Sequence, residues 1–229
     1  MDFALFEQKI GVRFADKNLL RTAFTHRSYL NEHRGMEMEH NERLEFLGDA
    51  VLELLVTEFL YKKYPKKPEG DLTLYRSALV NCITFAGVAE RLCMNEYLLL
   101  SKGEQKDTGR AREVILANAI EALIGAFYLD GGLEKAGDFV SRHIAPLTDT
   151  IVAEGKWMDA KSRFQEKAQE VAGITPAYET VREWGPDHDK HFTVAVVLGK
   201  EHVAEGEGKS KQDAEQDAAK NALQKKNWR

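Results

Sequence analysis

The stretch ILANAIEALIGAFYLD, residues 115–130, constrains the fold more than any other part of the chain. It is an apolar run interrupted by Asn118 and Glu121, three residues apart, so on a helix both side chains point the same way. A run this apolar belongs inside a core, where an unpaired carboxylate costs several kcal/mol. Some partner group must therefore face Glu121.

The helical rhythm of this run fills the chain up to about residue 152. In NERLEFLGDAVLELLVTEFLYKKY, Leu44, Leu47, Val51, Leu55 and Phe59 recur at helical spacing, with Asn41 as the expected N-cap and Pro65 beyond the end. Residues 70–92 repeat the pattern, and the 115–130 helix is stopped by Gly131 and Gly132. The polar loop SKGEQKDTGRAR lacks the preceding strand and GK[ST] ending of a P-loop, so no nucleotide cofactor is expected. After a linker at 153–160 the pattern becomes α-β-β-β-α over 161–228. SRFQEKAQEVAG reads as a helix, while AYETVREW, FTVAVVLG and EHVAEGEG read as strands. A final helix follows with Ser210 at its N-cap and Ala214, Ala218, Ala222 and Leu223 as a narrow inner stripe.

No stretch approaches the roughly 18 uncharged apolar residues of a membrane span, and the start lacks a basic signal-peptide region. A cytoplasmic protein without a membrane partner is expected. Cys82 and Cys93 read as reduced thiols rather than a disulfide or zinc site. The net charge of −5 divides into −4 over residues 1–157 and −1 over 158–229, so nucleic-acid contacts would have to come from local basic clusters.

In the helix after Asn41, Glu42, Glu45, Asp49 and Glu53 lie along one stripe. A solvated acidic face is the simple reading. Against it stand the near absence of Lys partners on that stripe, a mid-helix Gly48 that costs about 1 kcal/mol relative to Ala, and the second polar pair on the apolar helix. Together these would bring Glu45, Asp49, Asn118 and Glu121 to one point between packed helices. Hard oxygen ligands without His or Cys select Mg²⁺, with Mn²⁺ able to substitute. Phosphodiester hydrolysis is the natural chemistry of such a site.

The segment NERLEFLGDAVL resembles the signature of the ribonuclease III family. THRSYLNE (25–32), EGDLTLYRSALV (69–80) and ILANAIEALIGAFYLDGG resemble the other blocks of that family's all-helical endonuclease domain. Residues 161–228 resemble a double-stranded RNA-binding domain, with GPDHDKHF (185–192) matching its minor-groove loop. The resemblance implies an all-α endonuclease domain of the ribonuclease III fold at 1–152, followed by a small α+β double-stranded RNA-binding domain.

By that resemblance Glu45 and Glu121 are metal ligands, Asp49 and Glu121 are catalytic, and Glu42 and Glu69 are accessory acids lining the cleavage groove. Phe46 matches an aromatic inserted into the partner of a homodimer; ordinary core packing is its alternative. The implied activity is cleavage of duplex RNA, leaving 5′-phosphate and 3′-hydroxyl ends, in processing of ribosomal RNA precursors and other transcripts. At Asn118 the family usually has Asp, so the site loses one negative charge and weaker metal affinity is expected.

For the second module, Lys209 and Lys211 flank Ser210 at a helix N-terminus, where side-chain charge and free N–H groups favour phosphate. His188 is expected at 2′-hydroxyls, with Gln165 and Glu166 hydrogen-bonding the other minor groove. Gln212 stands where such modules often carry a further basic residue. Two other readings remain: a cleavage-impaired RNA-binding protein, and a metal phosphohydrolase for small substrates.

Overall fold

In the computed structural model, described for residues 2–155, 157–186 and 189–228, the apolar run lies within one long helix. The first unit, Met1–Trp157, contains α1 (Phe3–Ile10), α2 (Lys17–Ala23), α3 (Arg27–Glu32), α4 (Glu42–Lys63) and α5 (Glu69–Leu79). It continues with α6 (Cys82–Arg91), α7 (Arg110–His143) and α8 (Leu147–Ala153). Short 3₁₀ turns occupy Met94–Tyr97, where Met94 is buried in the core, and Glu104–Lys106 in the polar loop before α7.

Helix α7 is the spine of this unit, with Ile120, Leu123, Ile124 and Phe127 fully buried. Its length and composition would suit a membrane span, contrary to the estimate from sequence, but most of that segment is packed inside the protein core. The backbone leaves helical geometry at Gly131 and Gly132, the latter at φ +72°. This is the expected glycine stop, although helical geometry resumes beyond it.

Helix α4 packs on α7 more extensively than any other pair of elements. Leu44, Val51, Leu52, Val56 and Leu60 carry its buried face, while Leu47, Leu55 and Phe59 pack at the edge. Asn41 departs from its expected cap role: it has helical dihedrals and no side-chain cap bond. Its buried amide instead donates to the Ala23 carbonyl at 3.4 Å, fastening the start of α4 to α2.

The helical pattern at 70–92 is divided into α5 and α6, bent by 47°. Asn81 causes the division. Its side chain accepts from the Thr84 amide at 2.9 Å and donates to the Ala78 carbonyl at 2.8 Å, closing one helix while capping the next. Apolar periodicity continues across this break, so periodicity alone could not reveal it.

The second unit, Met158–Arg229, contains α9 (Ala160–Ala172), an antiparallel sheet β1 (Ala177–Trp184), β2 (His191–Leu198), β3 (Glu201–Gly208), and α10 (Lys211–Lys226). Central strand β2 supplies the apolar floor through Val194, Ala195 and Val196. Ala214, Ala218, Ala219 and Ala222 form the buried face of α10. An added Cβ at Gly206 would meet the Ala218 amide nitrogen at 2.0 Å. Small residues on both β3 and α10 thus permit near backbone contact.

Within residues 153–160, Trp157 and Asp159 each make a defined contact. Trp157 packs edge-on against Tyr75, with ring centroids 4.9 Å apart. Asp159 caps α9 by accepting from the Ser162 amide at 3.0 Å.

Candidate active site and nucleic-acid interface

Close contact between α4 and α7 brings their polar residues together. Glu45 and Asp49 lie on α4; Asn118 and Glu121 lie on α7. Asn118 acts on the Glu45 carboxyl across the helix pair. Burial pushes the Glu45 carboxyl upward, as do the charges of Glu42 and Asp49, while Asn118 opposes this shift.

Glu121 experiences the stronger field. Burial first, then Asp49 and Glu45, raises its carboxyl to about 7. No basic side chain is among the charges driving that shift. Divalent charge would relieve the desolvation and repulsion, and the carboxylate and amide oxygens suit a hard cation. The donor set therefore fits a divalent metal.

Convergence is looser than the four-ligand expectation. Among the described residues, no group of three or more His, Cys, Asp or Glu side chains is gathered closely enough to hold a metal. Asp49 is exposed, Glu45 and Glu121 are partly buried, and the fourth position is an amide. Like-charge repulsion opposes closer approach of the three acids. The residues are electrostatic neighbours, not a closed cage.

Glu42 belongs to this field through its effect on Glu45, and its carboxylate lies 3.7 Å from Arg27 and 3.8 Å from His40. Glu69, at the start of α5, instead accepts from the Thr73 hydroxyl at 3.1 Å. It is not among the charges acting on Glu45 or Glu121. Phe46 is 83% exposed, which excludes core packing within this chain. Sequence reasoning missed Gly125: its added Cβ would lie 2.2 Å from the Leu44 carbonyl oxygen, complementing the tight approach at Gly48. The small-residue spacing was visible, but its partner across the helix pair was not.

In the second unit, Gln165 and Glu166 are exposed on α9 and line a shallow depression with Ser162 and Gln169. Ser210 caps α10 by accepting from the Asp213 amide at 3.1 Å. Lys211 lies 5.8 Å from the Phe192 ring centroid. Lys209 is already engaged, its ammonium 3.1 Å from Asp189. The expected contact residue His188 lies outside the described residues.

The chain thus carries an all-helical unit with an acidic site and, after it, an α-β-β-β-α module. A Ribonuclease-III-like family model matches residues 16–147, and a Double-stranded RNA binding motif matches 160–226. Ribonuclease 3 from Streptococcus pneumoniae strain P1031 is 47% identical over 221 residues, covering 96% of this chain and 95% of that protein. Ribonuclease 3 from Streptococcus equi subsp. zooepidemicus is 46% identical over 220 residues, with coverage of 96% and 95%. The nuclease domain of ribonuclease III from Campylobacter jejuni matches at 42% identity and TM-score 0.58, covering 63% of this chain and 97% of that chain.

The chain belongs to the ribonuclease III family. It is an endoribonuclease acting on double-stranded RNA, and family membership implies a divalent-metal requirement.

Proposed function

We propose that the chain is a Mg²⁺-dependent ribonuclease, with Mn²⁺ able to substitute, acting as a cytoplasmic homodimer on ribosomal RNA precursors and other structured transcripts. The observation that carries this reading is the coupled set Glu45, Asp49 and Glu121 beside Asn118 at the α4–α7 contact. Glu45, Asp49, Asn118 and Glu121 would hold the metal. When bound, Mg²⁺ supplies positive charge and Lewis acidity beside the scissile phosphate.

Asp49 and Glu121 orient the water that attacks phosphorus. As the new P–O bond forms, the bond to the 3′-oxygen breaks, leaving 5′-phosphate and 3′-hydroxyl ends. Glu42 and Glu69 serve as accessory groove acids. The exposed Phe46 supports insertion into a second copy. Gln165, Glu166, His188, Lys209, Ser210 and Lys211 hold the duplex through the second module.

Asn118 favours one alternative, a duplex-binding protein with impaired cleavage, because an amide supplies an oxygen without negative charge. The distinction is tested by incubating purified wild type, Asn118→Asp and Glu121→Gln with long duplex RNA and Mg²⁺. The enzyme reading expects wild-type cleavage that Glu121→Gln abolishes. Binding without cleavage, restored by Asn118→Asp, supports the alternative. Mapping the product termini and repeating the reaction with Mn²⁺ tests the remaining chemical assignments.

A further inference from the structure

The Asp189–Lys209 ion pair joins the loop between β1 and β2 to the residue just before the Ser210 cap of α10. Its 3.1 Å separation places a carboxylate at a lysine suited to RNA phosphate. At Gly185, φ is +94° and an added Cβ would lie 2.3 Å from the Asp189 carbonyl oxygen. The Asp189 amide donates to the Pro186 carbonyl at 2.9 Å. The Asp189 carboxylate also lies 3.6 Å from His191.

We propose that Asp189 is an internal competitor for phosphate, occupying Lys209 until duplex RNA displaces it. Phosphate binding exchanges one ion pair for another, so the net electrostatic gain from Lys209 is reduced. Asp189 is consequently a positioning residue that sets RNA affinity and salt sensitivity. Both partners are solvent-accessible, so the exchange has a modest equilibrium effect. This inference rests on assignment of Lys209 to the RNA-binding surface.

The test measures binding of full-length protein to a labelled 30-base-pair duplex in EDTA across a range of KCl concentrations. Wild type is compared with Asp189→Asn, Lys209→Ala and the double variant. Asp189→Asn is expected to tighten binding about threefold at low salt, within the effect available to an exposed ion pair. It also steepens the logarithmic salt dependence by up to about 0.9, the contribution of one phosphate neutralisation. The double variant binds like Lys209→Ala.

An unchanged affinity and salt slope in Asp189→Asn overturns the proposal. Equal tightening in the Lys209→Ala background also overturns it, because that result assigns the effect to general charge. If Lys209→Ala alone leaves binding unchanged, the underlying assignment of Lys209 fails and the competitor role fails with it. Circular dichroism and thermal melting check that each variant retains the fold.

Discussion

An added Cβ at Gly48 would lie 1.8 Å from the backbone carbonyl oxygen of Glu121. The contact is backbone against side-chain space, so rotamer adjustment cannot relieve it. Gly48→Ala is expected to destabilise the protein by about 3 kcal/mol through overpacking, and to reduce cleavage by separating α4 from α7. Gly125→Ala should act similarly because its added Cβ would meet the Leu44 carbonyl oxygen at 2.2 Å. Urea unfolding and duplex cleavage provide the two readouts; wild-type stability in both variants would refute the close-contact explanation.

Glu121 links stability to metal through its carboxyl, raised to about 7 by burial and then by Asp49 and Glu45. The unfolded glutamate value is about 4.3. The metal-free folded state therefore holds this proton more tightly than the unfolded chain, and the Glu121 contribution to stability falls as pH rises between those values. Melting temperatures in EDTA should show a pH-dependent difference between wild type and Glu121→Gln, with the variant favoured at higher pH. Added Mg²⁺ should stabilise wild type more at pH 8 than at pH 6, and Glu121→Gln should lose most of that gain. Parallel pH profiles with equal Mg²⁺ effects would contradict this linkage.

The buried Asp130 carboxylate supplies a contrasting acid response. Its side chain is 1% exposed, accepts from the Ala15 and Asp16 amides at 3.0 and 2.8 Å, and pairs with Lys135. Burial raises its pKa, but the Asp16 amide, Lys135 and the Ala15 amide outweigh burial and leave it lowered. Its stabilising contribution is present above the unfolded value of about 3.9 and declines as pH falls through the lower folded value. Asp130→Asn should cost about 3 kcal/mol at pH 7, with a smaller difference from wild type at pH 3. Urea denaturation at both pH values checks the magnitude and sign.

Phe46 exposes 83% of its accessible surface, so truncation removes little packing from the isolated chain. Phe46→Ala should preserve helical content while shifting the protein from dimer toward monomer. Sedimentation equilibrium over a concentration range measures the shift. Unchanged dimer affinity would count against Phe46 as an interfacial anchor.

Amino-acid order determined more than broad fold class. Helical spacing exposed the α4 and α7 faces, Ser210 marked the start of α10, and the paired glycines marked the break near 131–132. Tertiary structure alone paired Gly48 with the Glu121 backbone, matched Gly125 to Leu44, and turned Asn41 from a nominal cap into a tether for α2. It also divided the apolar periodicity at Asn81 and set Asp189 against Lys209. Local periodicity depends on neighbours along the chain, whereas the electrostatic environment of Glu121 depends on groups more than 70 positions away in sequence. Only folding brings those groups close enough for burial and Coulomb repulsion to act on the same carboxylate.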